Sequence, residues 1–423
     1  MTMTMTMPMR TRLALAAAAA ATTALLAACQ HTAPLAPTGP GSVPAASSCA
    51  PAGFLAPASL EDRTRLPDPF RFADGRPVAS RADWACRRAE LSAQIQHYEL
   101  GEKPGPAPVA ARMIGDDLVI SVTHEGKTIS FPAKITLPAG ARPPYPAIIG
   151  MGMVTLDNAE LQRMGIALIT FPNNRVGEQM GGASRGKGVF YDLYGKDHPA
   201  SAMSAWAWGV SRLVDALETT PSAGIDARRL AVTGCSRNGK GAIVAGALDE
   251  RIRLTIAQES GSGGVASWRI SEAQKKAGQN VQTLRQIVHE NVWFTPGFGQ
   301  FAEQVDKLPF DQHEVMGLIA PRGLLVVENT SMEWLGNQSA WYDALAAREI
   351  WRALGNPSAM GVSQVGGHDH CRLPASQYGV VNAFARRFLL GDASAPTADV
   401  IDTDGGFAPT AASWIDWPTP ALH

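Results

Sequence analysis

The chain has 423 residues, of which 45% are hydrophobic, and its 37 basic side chains balance 38 acidic ones. A chain of this length and composition can bury a large core. The balanced charge leaves no electrostatic footprint for a nucleic acid, so we exclude a nucleic-acid-binding function. The composition is typical of a globular enzyme.

Residues 1–28 have the pattern of an export signal, since the positively charged start "MTMTMTMPMRTR" precedes the apolar stretch "LALAAAAAATTALLAAC". Residues 26–28 and Cys29 match a bacterial lipobox, whose cysteine is lipidated after cleavage. Ordinary signal cleavage nearby is the alternative. No later segment reaches the roughly 20 apolar residues that span a bilayer. We therefore expect an exported bacterial lipoprotein of the periplasm, outer membrane or cell surface, which contacts a membrane only through its lipid.

The rest of the chain divides into a tether and one folded domain. Residues 29–58 are rich in Pro, Ala, Ser and Gly without periodicity, which predicts a flexible tether, and residues 59–423 form the domain. "DDLVISVTHEGKTISFPAKITLP" alternates apolar and polar residues around Glu125-Gly126, as a hairpin does. Apolar runs such as "YPAIIGMGM" and "RRLAVTGCS" then alternate with helical stretches. This pattern predicts an α/β fold, a three-layer αβα sandwich with a mostly parallel sheet and an antiparallel start.

Ser236 is the candidate nucleophile. In "LAVTGCSRNGKGA" it stands between a buried strand pattern and a helical one, as in a nucleophile elbow, where the helix N-terminus favours a developing oxyanion. The match to G-x-S-x-G is imperfect, because Asn238 takes the second place after the serine and Gly239 the third. A plain turn with Ser236 as the helix N-cap is the alternative.

A catalytic serine needs a base and an acid that orients the base. Glu259 ends the next strand, "IRLTIAQESG", at the same sheet edge; a capping or salt-bridged carboxylate is its ordinary alternative. "VSQVGGHDHC" supplies His368 and His370 after a late strand, in the chain order serine, acid, histidine. A His-x-His pair could bind zinc, but no third ligand stands at metal-site spacing. We therefore predict neither a metal nor a cofactor.

The cysteines beyond the signal are even in number: Cys49, Cys86, Cys235 and Cys371. In an oxidising compartment this favours two disulfides, with three pairings possible. Cys235 precedes Ser236 and Cys371 follows His370, so assembly of the triad would bring these two sulfurs together and leave Cys49 to pair with Cys86. A reactive thiol at Cys235 is the alternative.

With "GCSRNGKGA", "QESGSGG" and "HDHC", the chain resembles the glucuronoyl esterases of carbohydrate esterase family 15. The agreement runs from "LPDPF", "ADWACRRAE" and "YELGEKPG" to "PRGLLVVENTSMEWLG" and covers nearly the whole mature domain. The resemblance implies an α/β-hydrolase fold. It also implies hydrolysis of esters between (4-O-methyl-)glucuronic acid of glucuronoxylan and lignin alcohols. We expect these lignin–carbohydrate esters as substrates and a monomeric enzyme.

The resemblance assigns roles by position. The nucleophile falls on Ser236, the acid on Glu259, the base on His370 and the oxyanion-binding arginine on Arg237. The residues that hold the sugar fall on Lys240, Gln282, Glu290 and Trp334. Without the resemblance, the stretch "GQNVQTLRQIVHEN" would be interpreted as a helix with a polar face, and "SMEWLGN" as a solvent-exposed loop.

Some bacterial relatives carry the acid after a later strand. Here that strand, "GLLVVENTSMEW", offers Glu328 and Glu333 but no aspartate, so Glu259 is preferred and Glu333 is its competitor. An acetyl or feruloyl esterase is the alternative function, which Lys240 disfavours because a neutral acyl group needs no cation. A catalytically inactive carbohydrate-binding lipoprotein would lack a member of the triad, and none is missing.

Overall fold

The structure is a computed structural model that describes Cys49 and residues 53–140 and 142–423. The predicted signal peptide at residues 1–28, the predicted lipidation site Cys29 and most of the predicted tether lie outside the described residues. Within the part of the chain that is described, no helix is long and apolar enough to cross a membrane.

The described residues form ten strands and eleven α-helices. The strands are β1 (Val109–Ile114), β2 (Asp117–His124), β3 (Lys127–Thr136), β4 (Tyr145–Met151), β5 (Ala167–Phe171), β6 (Ile225–Cys235), β7 (Ile252–Gln258), β8 (Gly323–Glu328), β9 (Met360–Gln364) and β10 (Ile401–Thr403). The helices are α1 (Arg81–Ile95), α2 (Asn158–Arg163), α3 (Asn173–Val176), α4 (Val189–Tyr194), α5 (Ala202–Thr219), α6 (Arg237–Leu248), α7 (Trp268–Lys276), α8 (Leu284–Glu290), α9 (Gln312–Gly317), α10 (Asn337–Ala353) and α11 (Ala375–Leu389). A π-helical turn, Gln96–Leu100, continues α1.

All ten of these strands belong to one sheet, in the order β1-β2-β3-β5-β4-β6-β7-β8-β9-β10. The pairs β1–β2, β2–β3 and β3–β5 are antiparallel, and the strands from β5 to β10 run parallel. The β2–β3 turn consists of Glu125 and Gly126, both with left-handed φ (47° and 77°), as a two-residue hairpin requires. The predicted hairpin and mostly parallel sheet are confirmed; the edge strands β1 and β10 were not predicted.

Two apolar clusters cover the two faces of the sheet. Ile148 of β4 belongs to the cluster that contains Phe384 of α11, whereas the next residue, Ile149, belongs to the cluster that contains Trp206 of α5. Successive side chains of a strand point to opposite faces, so each buried strand needs apolar residues at consecutive positions. The predicted three-layer αβα sandwich is confirmed.

Two disulfides are present, with the predicted pairings. Cys49 is bonded to Cys86 of α1, 37 residues away, and Cys235 is bonded to Cys371, 136 residues away. Part of the predicted tether also contacts the domain. The Phe54 ring stacks on His97 at 4.1 Å between ring centroids. The carbonyl of Leu55 accepts a hydrogen bond from the hydroxyl of Tyr98 at 2.7 Å.

Cys49 lines a cavity with Glu250 and Pro321, which precede β7 and β8, so the Cys49–Cys86 disulfide lies at the edge of the sheet opposite to Ser236. Its contribution to stability can therefore be measured separately. Replacing both cysteines by serine should lower the free energy of unfolding by about 4 kcal/mol, because the 37-residue separation gives that loss of chain entropy in the unfolded state. Guanidinium unfolding without reductant measures the change. Peptide mapping of the same variant controls that Cys235 and Cys371 stay bonded; an unchanged unfolding midpoint would contradict the expectation.

Candidate active site

Ser236 occupies a strained turn between β6 and α6. Its φ is 59° and its ψ is −130°, a conformation that costs free energy in a residue other than glycine. Ser236 occupies the N-cap position of α6, but its side chain makes no capping hydrogen bond, so the hydroxyl is not used to cap the helix. A Cβ at Gly239 would lie 2.8 Å from the carbonyl oxygen of Gln258. This glycine therefore lets α6 approach β7, although it stands one place later than in the common elbow motif.

Glu259 and His370 form a hydrogen-bonded pair beside this turn. His370 Nδ1 lies 2.7 Å from Glu259 Oε2. The backbone N–H of Cys371 donates to both carboxylate oxygens at 3.1 Å. Burial alone would raise the pKa of Glu259, but the hydrogen bonds from His370 and Cys371 outweigh it and hold this pKa below its usual value. A carboxylate charged in this way orients the imidazole so that Nε2 is its basic nitrogen.

Two further side chains, which the sequence analysis missed, contact the same carboxylate. The amide of Gln258 donates to Glu259 Oε1 at 3.3 Å, and Asn329 Nδ2 lies 3.5 Å from Oε2. Gln258 ends β7 and Asn329 directly follows β8. The only sequence signal that could have identified them was a polar residue at or just after the end of an otherwise apolar strand.

The disulfide between Cys235 and Cys371 brings the serine loop and the histidine loop together, with a Cα–Cα distance of 5.6 Å. Ser236 and His370 are the chain neighbours of the two half-cystines. A His370 nitrogen and the two sulfurs lie within 4.8 Å of one another. The sulfurs are bonded to each other and are not thiolates, so this group is not a metal site.

The competing residues have other partners. His368 Nε2 lies 2.9 Å from the carbonyl oxygen of Val365, and its Nδ1 is 4.0 Å from Glu259 Oε1. Glu333 is exposed, and its carboxylate accepts a hydrogen bond from the backbone N–H of Asn280 at 3.3 Å. The structure thus places His370 against Glu259 and directs Glu333 to a different loop.

Glu328 is buried at the end of β8, next to Glu259, and accepts a hydrogen bond from the backbone N–H of Ser260 at 3.0 Å. Burial raises the pKa of Glu328 to about 8, and the charge of Glu259 acts in the same direction. Two neighbouring carboxyl groups cannot both carry a charge cheaply. At neutral pH Glu328 is therefore the neutral acid and Glu259 the carboxylate.

Lys240 lies one helical turn after Ser236 and is buried. Its ammonium group donates a hydrogen bond to the carbonyl of Ser260 and lies 5.4 Å from the centre of the Trp293 ring. Burial lowers the pKa of Lys240 to about 7, and the nearby Glu328 opposes this shift. The lysine thus lies beneath the surface of the site, a depth that the sequence did not indicate.

The other residues predicted to contact a sugar lie around the same edge. The backbone N–H of Gln282 donates to the carbonyl of Trp334 at 3.1 Å, and the Trp334 ring meets His370 edge-on at 5.0 Å. Glu290 ends α8 and is exposed, and its carbonyl oxygen would lie 3.8 Å from a Cβ at Gly181.

Arg237 is the first residue of α6 and is half-buried. Its Nη1 lies 3.4 Å from the sulfur of Met180. The structure therefore places the predicted oxyanion-binding arginine directly beside the nucleophile, under a thioether that the sequence analysis had not considered.

Comparison with known proteins gives consistent matches. A family model described as "Glucuronyl esterase, fungi" matches residues 120–355, more than half of the chain. The 4-O-methyl-glucuronoyl methylesterase of Podospora anserina is 49% identical over 391 residues, which are 92% of this chain and 79% of that protein.

Solved structures agree with these matches. The glucuronoyl esterase catalytic domain from Hypocrea jecorina has a TM-score of 0.83 at 46% identity and covers 88% of this chain and 100% of that one. A serine-to-alanine mutant of the Sporotrichum thermophile glucuronoyl esterase, in complex with methyl 4-O-methyl-β-D-glucopyranuronate, has a TM-score of 0.82 at 46% identity over 86% of this chain and 97% of that one. By family model, sequence and fold, the chain belongs to the glucuronoyl esterase family.

Proposed function

We propose that this enzyme is a serine carboxylesterase that hydrolyses the ester between (4-O-methyl-)glucuronic acid of glucuronoxylan and a lignin alcohol. The observation that carries the proposal is the Glu259–His370 pair, 2.7 Å apart, on a loop that is disulfide-bonded to the residue before Ser236. Membership of the family and the uronate ligand of the Sporotrichum thermophile structure support the uronic acid as the acyl part.

In the proposed mechanism, Ser236 Oγ attacks the ester carbonyl while His370 accepts its proton. Arg237 and the N-terminal backbone N–H groups of α6 stabilise the oxyanion of the tetrahedral intermediate. His370 then gives the proton to the departing alcohol, which leaves a glucuronoyl-enzyme ester. Water, activated by the same imidazole, hydrolyses that ester and releases Ser236. Glu259 stabilises the imidazolium in both steps.

The acyl part of the ester is held by Lys240, Gln282, Glu290 and Trp334 in this proposal. Trp334 supports it by position, because its ring contacts His370 and offers an apolar face to a pyranose. Lys240 lies beneath the site and would donate hydrogen bonds to the hydroxyls of a pyranose, which an acetyl group lacks. Together with the uronate ligand of the Sporotrichum thermophile structure, this role favours a uronate over the alternative plant-wall esters.

The direct test of substrate class compares three esters with the purified protein. Hydrolysis rates are measured with methyl glucuronate, an acetylated xylan oligomer and methyl ferulate. Turnover of the glucuronate ester alone is the expected result. Equal or faster turnover of the acetyl or feruloyl ester would instead support the alternative function.

We also propose that the protein is exported as a monomer and anchored by a lipid on Cys29. The signal pattern of the N-terminus supports export, and the two disulfides suit an oxidising compartment. One chain supplies Ser236, Glu259 and His370, so no second copy is needed to complete the triad. The lipid anchor rests on the lipobox pattern alone.

Ser236→Ala should abolish turnover of methyl glucuronate while leaving the fold intact, because the change removes only the hydroxyl. Activity should fall more than about a thousandfold, as for other removals of a triad nucleophile. Steady-state assays measure the loss of activity, and an unchanged unfolding midpoint shows that the fold is intact. Retention of more than a thousandth of the wild-type activity would count against the assignment.

The assignment of the acid compares two isosteric changes. Glu259→Gln should depress kcat far more than it raises KM, because the carboxylate stabilises an imidazolium that forms only in the transition state. Glu333→Gln is the matched control and should act mildly, since its carboxylate contacts the Asn280 loop. Steady-state kinetics with methyl glucuronate distinguish the two. Near-normal kcat in the first variant and collapse in the second would move the acid to Glu333.

The lipid proposal is tested in the host cell. A clickable palmitate analogue should label the wild-type protein, and Cys29→Ala should lose the label because the acceptor thiol is gone. Detection of both proteins by immunoblot controls for expression. Equal labelling of the variant would reject Cys29 as the lipidated residue.

A further inference from the structure

Two methionines on the rim of the active site are the most exposed large apolar side chains of the described residues. The side chain of Met180 is 68% exposed and that of Met153 is 61% exposed. Single exposed apolar side chains are common on protein surfaces. Two such side chains near the first turn of α6, which follows Ser236, offer apolar surface next to the proposed site, as is typical of a ligand-binding region.

The backbone after β4 forces Met153 outward. Its neighbours Met151 and Val154 are buried, and Gly152 between them has a left-handed φ of 78°. A Cβ at Gly150 would overlap the carbonyl of Met153, so the turn closes tightly on itself. The exposure of Met153 is thus imposed by a defined turn.

The turn that carries Met153 lies against the first turn of α6. A Cβ at Gly152 would lie 3.3 Å from Nδ2 of Asn238, which is two residues after Ser236. Gly150 of β4 also pairs with Thr233 of β6, so β4 and the strand that leads to Ser236 are direct neighbours. Met153 therefore follows the end of the strand next to the one that carries the nucleophile.

Met180 reaches the same site from a loop that follows β5 and α3. The backbone N–H of Glu178 bonds the carbonyl of Lys187 at 3.0 Å and closes this loop. Gln179 is buried and accepts a hydrogen bond from Trp293 Nε1 at 2.8 Å. The next residue, Met180, therefore points outward, and its sulfur lies 3.4 Å from Nη1 of Arg237.

The two methionines and the proposed sugar contacts come from opposite halves of the sheet. Met153 and Met180 follow β4 and β5, which lie on one side of β6, whereas Gln282 and Trp334 follow β7 and β8 on the other side. Glu290 approaches the Met180 loop at Gly181, where the two halves meet. An ester bound at Ser236 has an acyl part and an alcohol part. With the sugar on the β7–β8 side, the alcohol faces the methionines.

We infer that Met153 and Met180 form the surface that binds the aromatic ring of the lignin alcohol in the ester. The inference rests on the proposed function. Thioethers are polarizable and flexible, and they contact aromatic rings favourably. They offer no strong hydrogen-bonding group to the hydroxyls of a sugar alcohol. Met153 and Met180 are thus specificity-determining residues for the departing alcohol.

The test uses the full-length protein and two esters of glucuronic acid that differ only in the alcohol, methyl and benzyl. The quantity measured is the benzyl-to-methyl ratio of kcat/KM. The double variant Met153→Ser, Met180→Ser should lower this ratio about tenfold, from the loss of two sulfur–aromatic contacts. Replacement of both methionines by leucine, which stays apolar, should retain most of the ratio.

Ile114→Ser is the matched control, because Ile114 is 52% exposed on β1 at the far edge of the sheet. Its ratio should equal that of the wild type. An unchanged ratio in the serine double variant would overturn the inference. This includes the case in which kcat/KM falls equally for both esters, since the methionines would then act through Arg237 and not on the alcohol. A wild type that cleaves neither ester would reject the proposed function itself and, with it, this inference.

Discussion

The covalent link between Cys235 and Cys371 is the constraint on which the active site depends. Three residues of the site, Ser236, Glu259 and Cys371, have left-handed φ values of 59°, 45° and 65° without being glycine. Each such residue costs about 1–3 kcal/mol. A disulfide that closes a 136-residue separation stabilises the fold by about 5 kcal/mol in the chain-entropy model, so the two magnitudes are comparable. The bond that joins the loops also offsets the strain in them.

Burial and hydrogen bonding give the two carboxyl groups at this edge of the sheet different charge states. Glu259 and Glu328 end neighbouring parallel strands, yet only Glu259 receives hydrogen bonds from an imidazole and a backbone N–H of the histidine loop. Those donors keep the pKa of Glu259 low, while the pKa of Glu328 rises to about 8. The one remaining negative charge is therefore that of Glu259, which lies next to His370 and stabilises the imidazolium that forms there. A second charge on Glu328 would weaken the ionised form of its neighbour.

The features that could be predicted from the sequence are those set by local pattern and by the direction of the strands. The hairpin at Glu125-Gly126 is a local turn, and the Glu259–His370 pair follows because parallel strands end at one edge. The cysteine pairing followed from chain neighbours of the triad. The depth of Lys240 beneath Trp293 depends on contacts distant in sequence, and so does the neutral state of Glu328. Neither leaves a pattern in the chain.

The site also ties catalysis to the redox state of the compartment. In an oxidising compartment the Cys235–Cys371 bond persists and keeps the loop of Ser236 joined to the loop of His370. In a reducing compartment the two loops would be joined mainly through Glu259, whose hydrogen bonds to His370 and Cys371 contribute only about 1–3 kcal/mol each. That sum, about 2–6 kcal/mol, does not exceed the strain of about 3–9 kcal/mol at the three left-handed residues. An elbow of this kind is therefore suited to an oxidising compartment, in which its disulfide persists.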